Sequence, residues 1–395
     1  KDVDIAGKKV LVRVDFNVPL DGQGGVSDDT RIKAVMPTLT YVLAQHAALI
    51  VASHLGRPKG EVRPEFSLKP VAERLSTLLD RPVKFAQACV GPVAEEAVAS
   101  LAAGEVLLLE NLRFEPGEQQ NDDDFARKLG QLCDVYVNDA FAVCHRANAS
   151  VEAITRHAPL CAAGMLLEKE LTYFERAMDD PQRPLAAIVG GAKVSSKLAA
   201  LKNMLQRVDK ILIGGAMANT FLKARGVEMG ASKIEADLIE AAIDIMAQAR
   251  QKKVTLLLPV DVVAAIHPGA ERASGHFAVE AMPADLMALD IGPGTVRLFA
   301  DTLSDAKTVI WNGPMGVFEE APFSDGTYAM VDCVAELEAL TIAGGGDTNA
   351  AVQAAGRAGD FSYLSTGGGA FLTLMEGNPL PAVEALRKSQ QWLEK

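Results

Sequence analysis

The sequence predicts an α/β protein built from two doubly wound parallel sheets of the Rossmann-like type. Short apolar runs recur along the 395 residues, and segments of helical length separate them. The runs are continuously apolar rather than alternating, which indicates strands that are buried on both faces. Strands that alternate with helices form βαβ units and therefore parallel sheets.

Apolar runs that predict strands occur in both halves of the chain. They are Val10–Val14, Leu49–Ser53, Val106–Glu110, Val135–Val137, Leu185–Val189, Lys210–Ile213, Thr255–Leu258, Thr308–Trp311 and Leu340–Ala343. Two helices between them carry end signals. Ser232 and Glu235 have the spacing of a capping box, which predicts that a helix begins there. Gly356 stands where a helix stop is expected.

A polar-faced helix at residues 168–181, ending at Pro181, is predicted to connect two domains. The first domain would comprise residues 1–167 and the second residues 182–377. The segment from about 378 to 395 is predicted to form a final amphipathic helix. A chain of this length can bury more than one core, which agrees with two domains.

Composition excludes several classes of function. The net charge of −12 argues against nucleic acid as a partner, although a local pocket can still bind a small anion. Five scattered cysteines favour reduced thiols and a cytoplasmic protein. The apolar runs are too short to span a membrane, and the first residues lack the pattern of a signal peptide. We therefore expect no membrane association.

Polar side chains follow each of the first four predicted strands. Ligands of open α/β sheets bind beyond the carboxyl ends of the strands, so these side chains would converge. In chain order they are Asp15, Asn17, Arg31, His54, Arg57, Arg113 and Arg146. Any one of these arginines could be a solvated surface charge. Together they suit a small polyanion, because guanidinium groups grip carboxylate and phosphate at two points.

Glycine-rich turns follow the strands of the second half. They read "GGAKVSSK", "GGAMANTF", "NGPMGVFEE", "GGDTNAA" and "STGGGAF". Each could be simple turn geometry, but several in one half indicate nucleotide phosphates on helix N-termini. If "VSSKLAALKNML" is helical, Lys193 and Lys197 lie one turn apart and could hold a phosphoryl group. Asp347 and Thr348 could simply cap a helix, or Asp347 could bind Mg²⁺, and residue type alone leaves both alternatives open.

The chain resembles the phosphoglycerate kinase family in an ordered set of motifs that covers nearly its whole length. The matching stretches are "RVDFNVP", "DDTRI", "SHLGRPKG", "LLENLRF", "NDAF", "GGAKVSSK", "GGAMANTFL", "WNGPMGVFE", "AGGGDT" and "STGGGA". The resemblance implies reversible, Mg²⁺-dependent phosphoryl transfer between 1,3-bisphosphoglycerate and ADP in glycolysis. It also implies a monomer with ligand sites facing an interdomain cleft, hinge bending, and a C-terminal helix that packs back on the first domain.

The resemblance assigns roles to individual residues. Substrate binding would involve Asp15, Phe16, Asn17, Arg31, His54, Leu55, Gly56, Arg57, Arg113 and Arg146. Nucleotide binding would involve Gly191, Lys197, Gly215, Asn312, Glu319, Gly345, Gly346, Asp347 and Thr348. Glu319 would hold the ribose hydroxyls and Asp347 the metal. Arg31, Lys193 and Gly368, within Gly367–Gly369, would act on the transferred group.

Four positions depart from the usual family pattern: Ala142, Val143, Cys144 and Asn148. Cys144 next to the substrate motif raises the hypothesis that thiol modification inhibits the protein. Two other functions stay open on the residues alone. A dinucleotide-dependent dehydrogenase would use Gly344 and Gly346, but Asn349 takes the third small position of that motif. A non-catalytic nucleotide sensor would need neither the arginines of the first half nor Lys193.

Overall fold

The structure is a computed structural model that describes residues 2–393, with side chains as far as Ser389. The chain divides into two compact units. Unit 1 comprises Lys1–Leu171 and Pro379–Lys395, and unit 2 comprises Thr172–Asn378. Each unit contains a six-stranded parallel sheet, which confirms the predicted fold class.

Unit 1 contains the first sheet, in the order β3-β4-β2-β1-β5-β6. Its strands are β1 (Lys9–Val14), β2 (Ala48–Ala52), β3 (Val83–Ala86), β4 (Val106–Leu109), β5 (Val135–Asp139) and β6 (Cys161–Ala163). β1 lies between β2 and β5, and both pairs are parallel. The segments that follow these three strands therefore begin at one edge of the sheet. Val10, Leu11 and Val12 are fully buried, as the continuous apolar run predicted.

The helices of unit 1 cover this sheet. They are α1 (Thr30–Ala44), α2 (Lys69–Leu79), α3 (Pro92–Ala99), α4 (Pro116–Gln120), α5 (Asp123–Gly130) and the start of α6 (Met165–Met178). The C-terminal helix α14 (Pro381–Leu393) packs on β6 and on the 3₁₀ turn Ala153–Arg156. The Ala382 amide donates to the Cys144 carbonyl at 3.3 Å. The end of the predicted span 378–395 lies outside the described residues.

Helix α6 runs from unit 1 into unit 2, and its bounds differ from the predicted 168–181. It begins at Met165 because the Asp139 carboxylate caps it: Oδ1 accepts from Leu166 N at 2.9 Å and from Leu167 N at 3.0 Å. Gly164 precedes the helix, and a Cβ on it would lie 2.2 Å from Asp139 Cγ. The helix ends at Met178, before Pro181. The capping carboxylate belongs to Asp139 at the end of β5, and the periodicity of apolar residues in the helix cannot reveal such a partner.

Unit 2 contains the second parallel sheet, in the order β15-β14-β13-β7-β8-β9. Its strands are β7 (Leu185–Val189), β8 (Lys210–Ile213), β9 (Thr255–Leu257), β13 (Thr308–Asn312), β14 (Leu340–Gly344) and β15 (Tyr363–Ser365). A separate antiparallel sheet comprises β10 (Asp261–Ala265), β11 (Gly275–Ala278) and β12 (Met287–Ile291). The predicted strands of both units are confirmed, whereas β3, β6, β15 and the antiparallel sheet were not predicted.

Two helices of unit 2 begin later in the chain than the sequence suggested, and the predicted start at Ser232 was wrong. The helices of unit 2 are α7 (Leu198–Met204), α8 (Met217–Ala224), α9 (Ile239–Lys252), α10 (Pro293–Leu303), α11 (Asp325–Ala335), α12 (Gly346–Ala354) and α13 (Gly368–Met375). No helix begins at Ser232, because its hydroxyl accepts from Ala288 N and the Glu235 carboxylate accepts from Ser195. Residues 194–197 form a turn, so α7 begins only at Leu198.

Gly356 follows α12 with φ of +70°, which confirms the predicted helix stop. Among the described helices, none is long and apolar enough to cross a membrane.

Candidate active site

The residues predicted from the first strand ends come together in unit 1. Arg31 Nη1 donates to Asp15 Oδ2 at 2.8 Å, and His54 Nδ1 lies 3.7 Å from Asp15 Oδ1. Asn17 Oδ1 accepts from Gly56 N at 2.8 Å. These contacts join the segments that follow β1 and β2 to the first turn of α1. The convergence expected of a parallel sheet edge is therefore present.

The segment after β4 joins the same cluster through Arg113. Its Nη1 donates to the Gly56 carbonyl at 2.7 Å, and Gly56 adopts φ of +62°. A Cβ at Gly56 would lie 2.3 Å from the Phe66 ring. Only glycine at this position therefore lets the backbone carbonyl accept the hydrogen bond from Arg113. Arg57 and Arg146 have exposed side chains, and Arg146 Nε donates to His145 Nε2 at 3.1 Å.

The cluster concentrates positive charge although the whole chain is acidic. Burial, together with the charges of Arg13 and Arg146, lowers the pKa of Arg113 to about 10. Burial and the surrounding guanidinium groups also hold the pKa of His54 well below its usual value. Like charges held this close favour an anionic ligand, because such a ligand relieves their repulsion.

Two supporting residues in unit 1 were not predicted. Asn111 is fully buried: its Oδ1 accepts from Leu55 N and Arg113 N, and its Nδ2 donates to the carbonyls of Leu55 and Phe66. It thereby fixes the backbone on both sides of the cluster. Arg13 is 1% exposed within β1. Two sequence signals could have identified them. Asn111 is a polar residue directly after the predicted strand Val106–Glu110, and Arg13 is a charged residue inside the apolar strand β1.

Unit 2 brings its glycine turns together through the backbone. Gly191 N donates to Pro314 O, Gly215 N donates to Met315 O, and Met217 N donates to Gly191 O, each at 3.0 Å. Gly215 has φ of +66°, and a Cβ there would lie 2.6 Å from Gly191 N. The turns after β7, β8 and β13 therefore pack against each other more closely than any side chain would allow.

The turns after β14 and β15 also meet. Asn312 Nδ2 donates to Gly344 O and Gly313 N donates to Thr348 Oγ1, both at 2.7 Å. A Cβ on Gly368 would lie 3.2 Å from Gly345 Cα, so the N-termini of α12 and α13 are neighbours. Such termini present unpaired amide groups that suit phosphate oxygens.

The structure separates the two alternatives for Asp347. The N-cap of α12 is Gly345, and no side chain caps this helix, so Asp347 is not its cap. Its exposed carboxylate lies in the first turn. Within residues 2–393, no three His, Cys, Asp or Glu side chains form a metal cluster. Asp347 alone fits a metal ion that arrives with phosphate ligands, since Mg²⁺ keeps few protein ligands in such sites.

The stretch "VSSKLAALKNML" is helical only from Leu198, so the two lysines of "GGAKVSSK" do not lie within one helix. Lys193 is exposed in the turn after β7, and Lys197 is half-buried at the N-cap of α7. Burial lowers the pKa of Lys197 to about 8, partly offset by the charges of Asp347 and Glu376. Glu319 is exposed after β13.

The hypothesis that modification of Cys144 inhibits the protein loses its basis. The thiol is fully buried and lies 3.4 Å from the Ala140 carbonyl. Burial raises its pKa to about 12, so the reactive thiolate is scarce at neutral pH.

A cationic cluster in one α/β unit and glycine turns beside helix N-termini in the other are typical of a protein that binds small anionic ligands. The profile of the family described as phosphoglycerate kinase matches residues 1–378. The chain belongs to the phosphoglycerate kinase family, whose members are phosphotransferases of glycolysis. This assignment decides against both the dehydrogenase and the non-catalytic sensor.

Relatives named phosphoglycerate kinase match almost the full length. The chain is 59% identical over 392 residues to the protein from Desulfosudis oleivorans, covering 99% of this chain and 98% of the relative. It is 54% identical over 385 residues to the protein from Geobacter metallireducens, covering 98% and 97%.

Solved structures of the same name have the same fold. The structure from Coxiella burnetii superposes with a TM-score of 0.89 at 39% identity, and the one from Pyrococcus horikoshii OT3 with 0.87 at 32%. Each comparison covers 99% of this chain and 98% of the other.

Proposed function

We propose that the cluster around Arg31 binds the phosphoglycerate and that the glycine turns of unit 2 bind ADP or ATP. The observation that carries this proposal is the contact set joining Asp15, Arg31, His54 and Arg113 at one sheet edge. The other substrate contacts are Phe16, Asn17, Leu55, Gly56, Arg57 and Arg146. The nucleotide contacts are Gly191, Lys197, Gly215, Asn312, Glu319 and Gly345–Thr348.

The reaction suits a site without a general base. In the ATP-consuming direction the nucleophile is a carboxylate, which has a pKa of about 3.5 and is ionised at neutral pH. Phosphoryl transfer depends mainly on alignment and on stabilisation of charge. Arg31, Lys193 and the amide groups of Gly367–Gly369 would stabilise the transferred group, and Asp347 would hold Mg²⁺, which neutralises phosphate charge.

The two ligand sets belong to different units, so transfer needs closure of the units by hinge bending. Closure also excludes water, which would hydrolyse the acyl phosphate. We further propose a cytoplasmic monomer that acts on small molecules, with neither nucleic acid nor membrane as a partner. The net charge of −12 and the absence of a disulfide among the five cysteines, all of which are free, support this.

The test is ATP consumption with 3-phosphoglycerate and Mg²⁺, coupled to reduction of the acyl phosphate. Wild type should turn over, and Lys193→Ala should lower kcat by about 10²–10³-fold, as expected for loss of one charge-stabilising donor. Lys202→Ala, an exposed lysine in α7, is the matched control and should keep wild-type kcat. Equal kcat in all three would remove Lys193 from the mechanism, and no turnover in folded wild type would refute the proposed function.

A further inference from the structure

A buried carboxylate lies behind the cluster of unit 1, on α4. Glu118 is 1% exposed, and its oxygens accept from Ser150 N at 2.9 Å and from Ser150 Oγ at 2.7 Å. Arg13 Nη2 lies 3.7 Å from Glu118 Oε1, and both side chains are 1% exposed. Removing one member of a buried ion pair leaves the other charge uncompensated, which makes both residues sensitive to substitution.

The Ser150 hydroxyl links Arg13 to Glu118 through two hydrogen bonds. Arg13 Nε donates to Ser150 Oγ at 3.0 Å, so the Ser150 hydroxyl accepts from arginine and donates to Glu118. The Asn148 side chain and the Ala149 amide donate to the Glu118 carbonyl, at 3.1 Å and 2.9 Å. Glu118 thereby fixes the segment that follows Arg146 as well as the guanidinium of Arg13.

Arg13 in turn sets the state of His54. Arg13 Nη2 lies 3.3 Å from His54 Nδ1. A guanidinium group only donates hydrogen bonds, so Nδ1 must accept and the ring proton must sit on Nε2. The nearest carboxylate oxygen, Asp15 Oδ1, is 3.7 Å from the same nitrogen, which is too far for a hydrogen bond.

The charges facing His54 come from several elements and are mostly positive. Arg13 and Asp15 belong to β1 and its end, Arg31 to α1, Arg113 to the turn after β4, and Arg146 to the segment after β5. His54 is 2% exposed. Burial and these guanidinium groups hold its pKa well below the usual value, in agreement with a neutral ring.

We propose that Glu118 is a positioning residue of the anion site: it holds Arg13, and through Arg13 it keeps His54 as the uncharged tautomer with its proton on Nε2. His54 then offers the phosphoglycerate a hydrogen-bond donor rather than a charge. This inference rests on the proposed function for the identity of the ligand, but the tautomer of His54 can be measured without any ligand.

The direct test is the long-range ¹H–¹⁵N NMR spectrum of the full chain labelled in histidine, with His54 assigned by His54→Gln. In wild type, His54 should show the neutral Nε2–H pattern and no titration between pH 6 and pH 8. In Glu118→Gln the single tautomer should be lost, because Arg13 is no longer held beside His54 Nδ1. Protonation at neutral pH or a proton on Nδ1 in wild type would overturn the proposal.

The kinetic test uses the same variant. Glu118→Gln should raise KM for 3-phosphoglycerate by about tenfold or more while KM for ATP stays unchanged, a split that general loss of structure does not produce. Glu96→Gln, an exposed glutamate in α3, is the matched charge control and should change neither KM. A folded Glu118→Gln protein with wild-type KM and tautomer would refute the role of Glu118.

Ser150→Ala covers the case in which Glu118→Gln does not fold. It removes the hydroxyl that joins Arg13 to Glu118 and leaves their ion pair in place. KM for 3-phosphoglycerate should therefore rise by a smaller factor than in Glu118→Gln. An unchanged KM in folded Ser150→Ala would likewise count against the proposal. Failure of wild type to turn over would remove the proposed function, whereas the spectrum of His54 would still decide the tautomer.

Discussion

The two units provide for anionic ligands in different ways. In unit 1 the candidate groups are side chains: Asp15 accepts from Arg31, the Gly56 carbonyl accepts from Arg113, and Asn111 fixes the backbone of Arg113. In unit 2 the candidate site is built largely from backbone: glycine turns pack against each other, as at Gly191 and Gly215, and the N-termini of α12 and α13 are neighbours. A side chain can be removed by substitution, whereas a backbone amide can only be displaced. The two units should therefore respond to different kinds of substitution.

The largest effect is expected from removing a side chain in unit 1. Arg31→Ala should lower kcat by about 10³-fold, because an arginine that faces the transferred group stabilises charge that develops in the transition state. Arg127→Ala, which breaks an exposed ion pair with Asp124, is the control and should leave kcat unchanged. Steady-state kinetics of both variants measures the contrast. A loss confined to KM would mean that Arg31 binds the substrate without acting on the transferred group.

A smaller effect is expected from adding a methyl group in unit 2. Gly215→Ala places a Cβ 2.6 Å from Gly191 N, so the turns must separate and KM for ATP should rise by roughly tenfold. Gly226→Ala is the matched control, since it also has a positive φ, of +85°, but no atom within 4 Å of the added Cβ. Both variants should lose about 1–2 kcal/mol of unfolding free energy from backbone strain. Equal KM values in the two variants would contradict a backbone-built nucleotide site.

The smallest effect concerns the half-buried Lys197 in unit 2. Burial lowers the pKa of Lys197 to about 8, so its ammonium form is lost as pH rises through that value. ADP affinity should therefore fall a few-fold between pH 7.5 and pH 9, where the nucleotide phosphates are already ionised. Lys197→Arg keeps its charge over this range and should remove the pH dependence. Calorimetric titration of ADP checks this, and identical pH profiles would exclude Lys197 as the titrating group.

Sequence reasoning succeeded where local features decide the structure. Continuous apolar runs such as Leu185–Val189 form buried strands wherever they lie in the chain, and Gly356 ends a helix by its own conformation. The convergence of Asp15, His54 and Arg113 followed from the parallel sheet, because the ends of neighbouring strands share an edge.

Features that depend on distant partners could not be predicted. Glu235 failed as a capping residue because Ser195, 40 positions away, binds its carboxylate. The Arg13 guanidinium reaches Ser150 across 137 positions. The antiparallel sheet forms only where β10 pairs with β11 and β12, and β11 is partly buried and has no continuous apolar run. In each case tertiary contacts, rather than local preference, determine the outcome.

The contact between Asp139 and Gly164 links two positions in a way that bears on sequence variation. Gly164 does not have a left-handed backbone, so its own conformation would tolerate other residues. It must lack a side chain because a Cβ would lie 2.2 Å from Asp139 Cγ. Substitutions at residue 164 can therefore become acceptable only after residue 139 has become smaller. A mutant library that varies residue 164 alone will be depleted of folded members, and one that varies the two positions together will recover them.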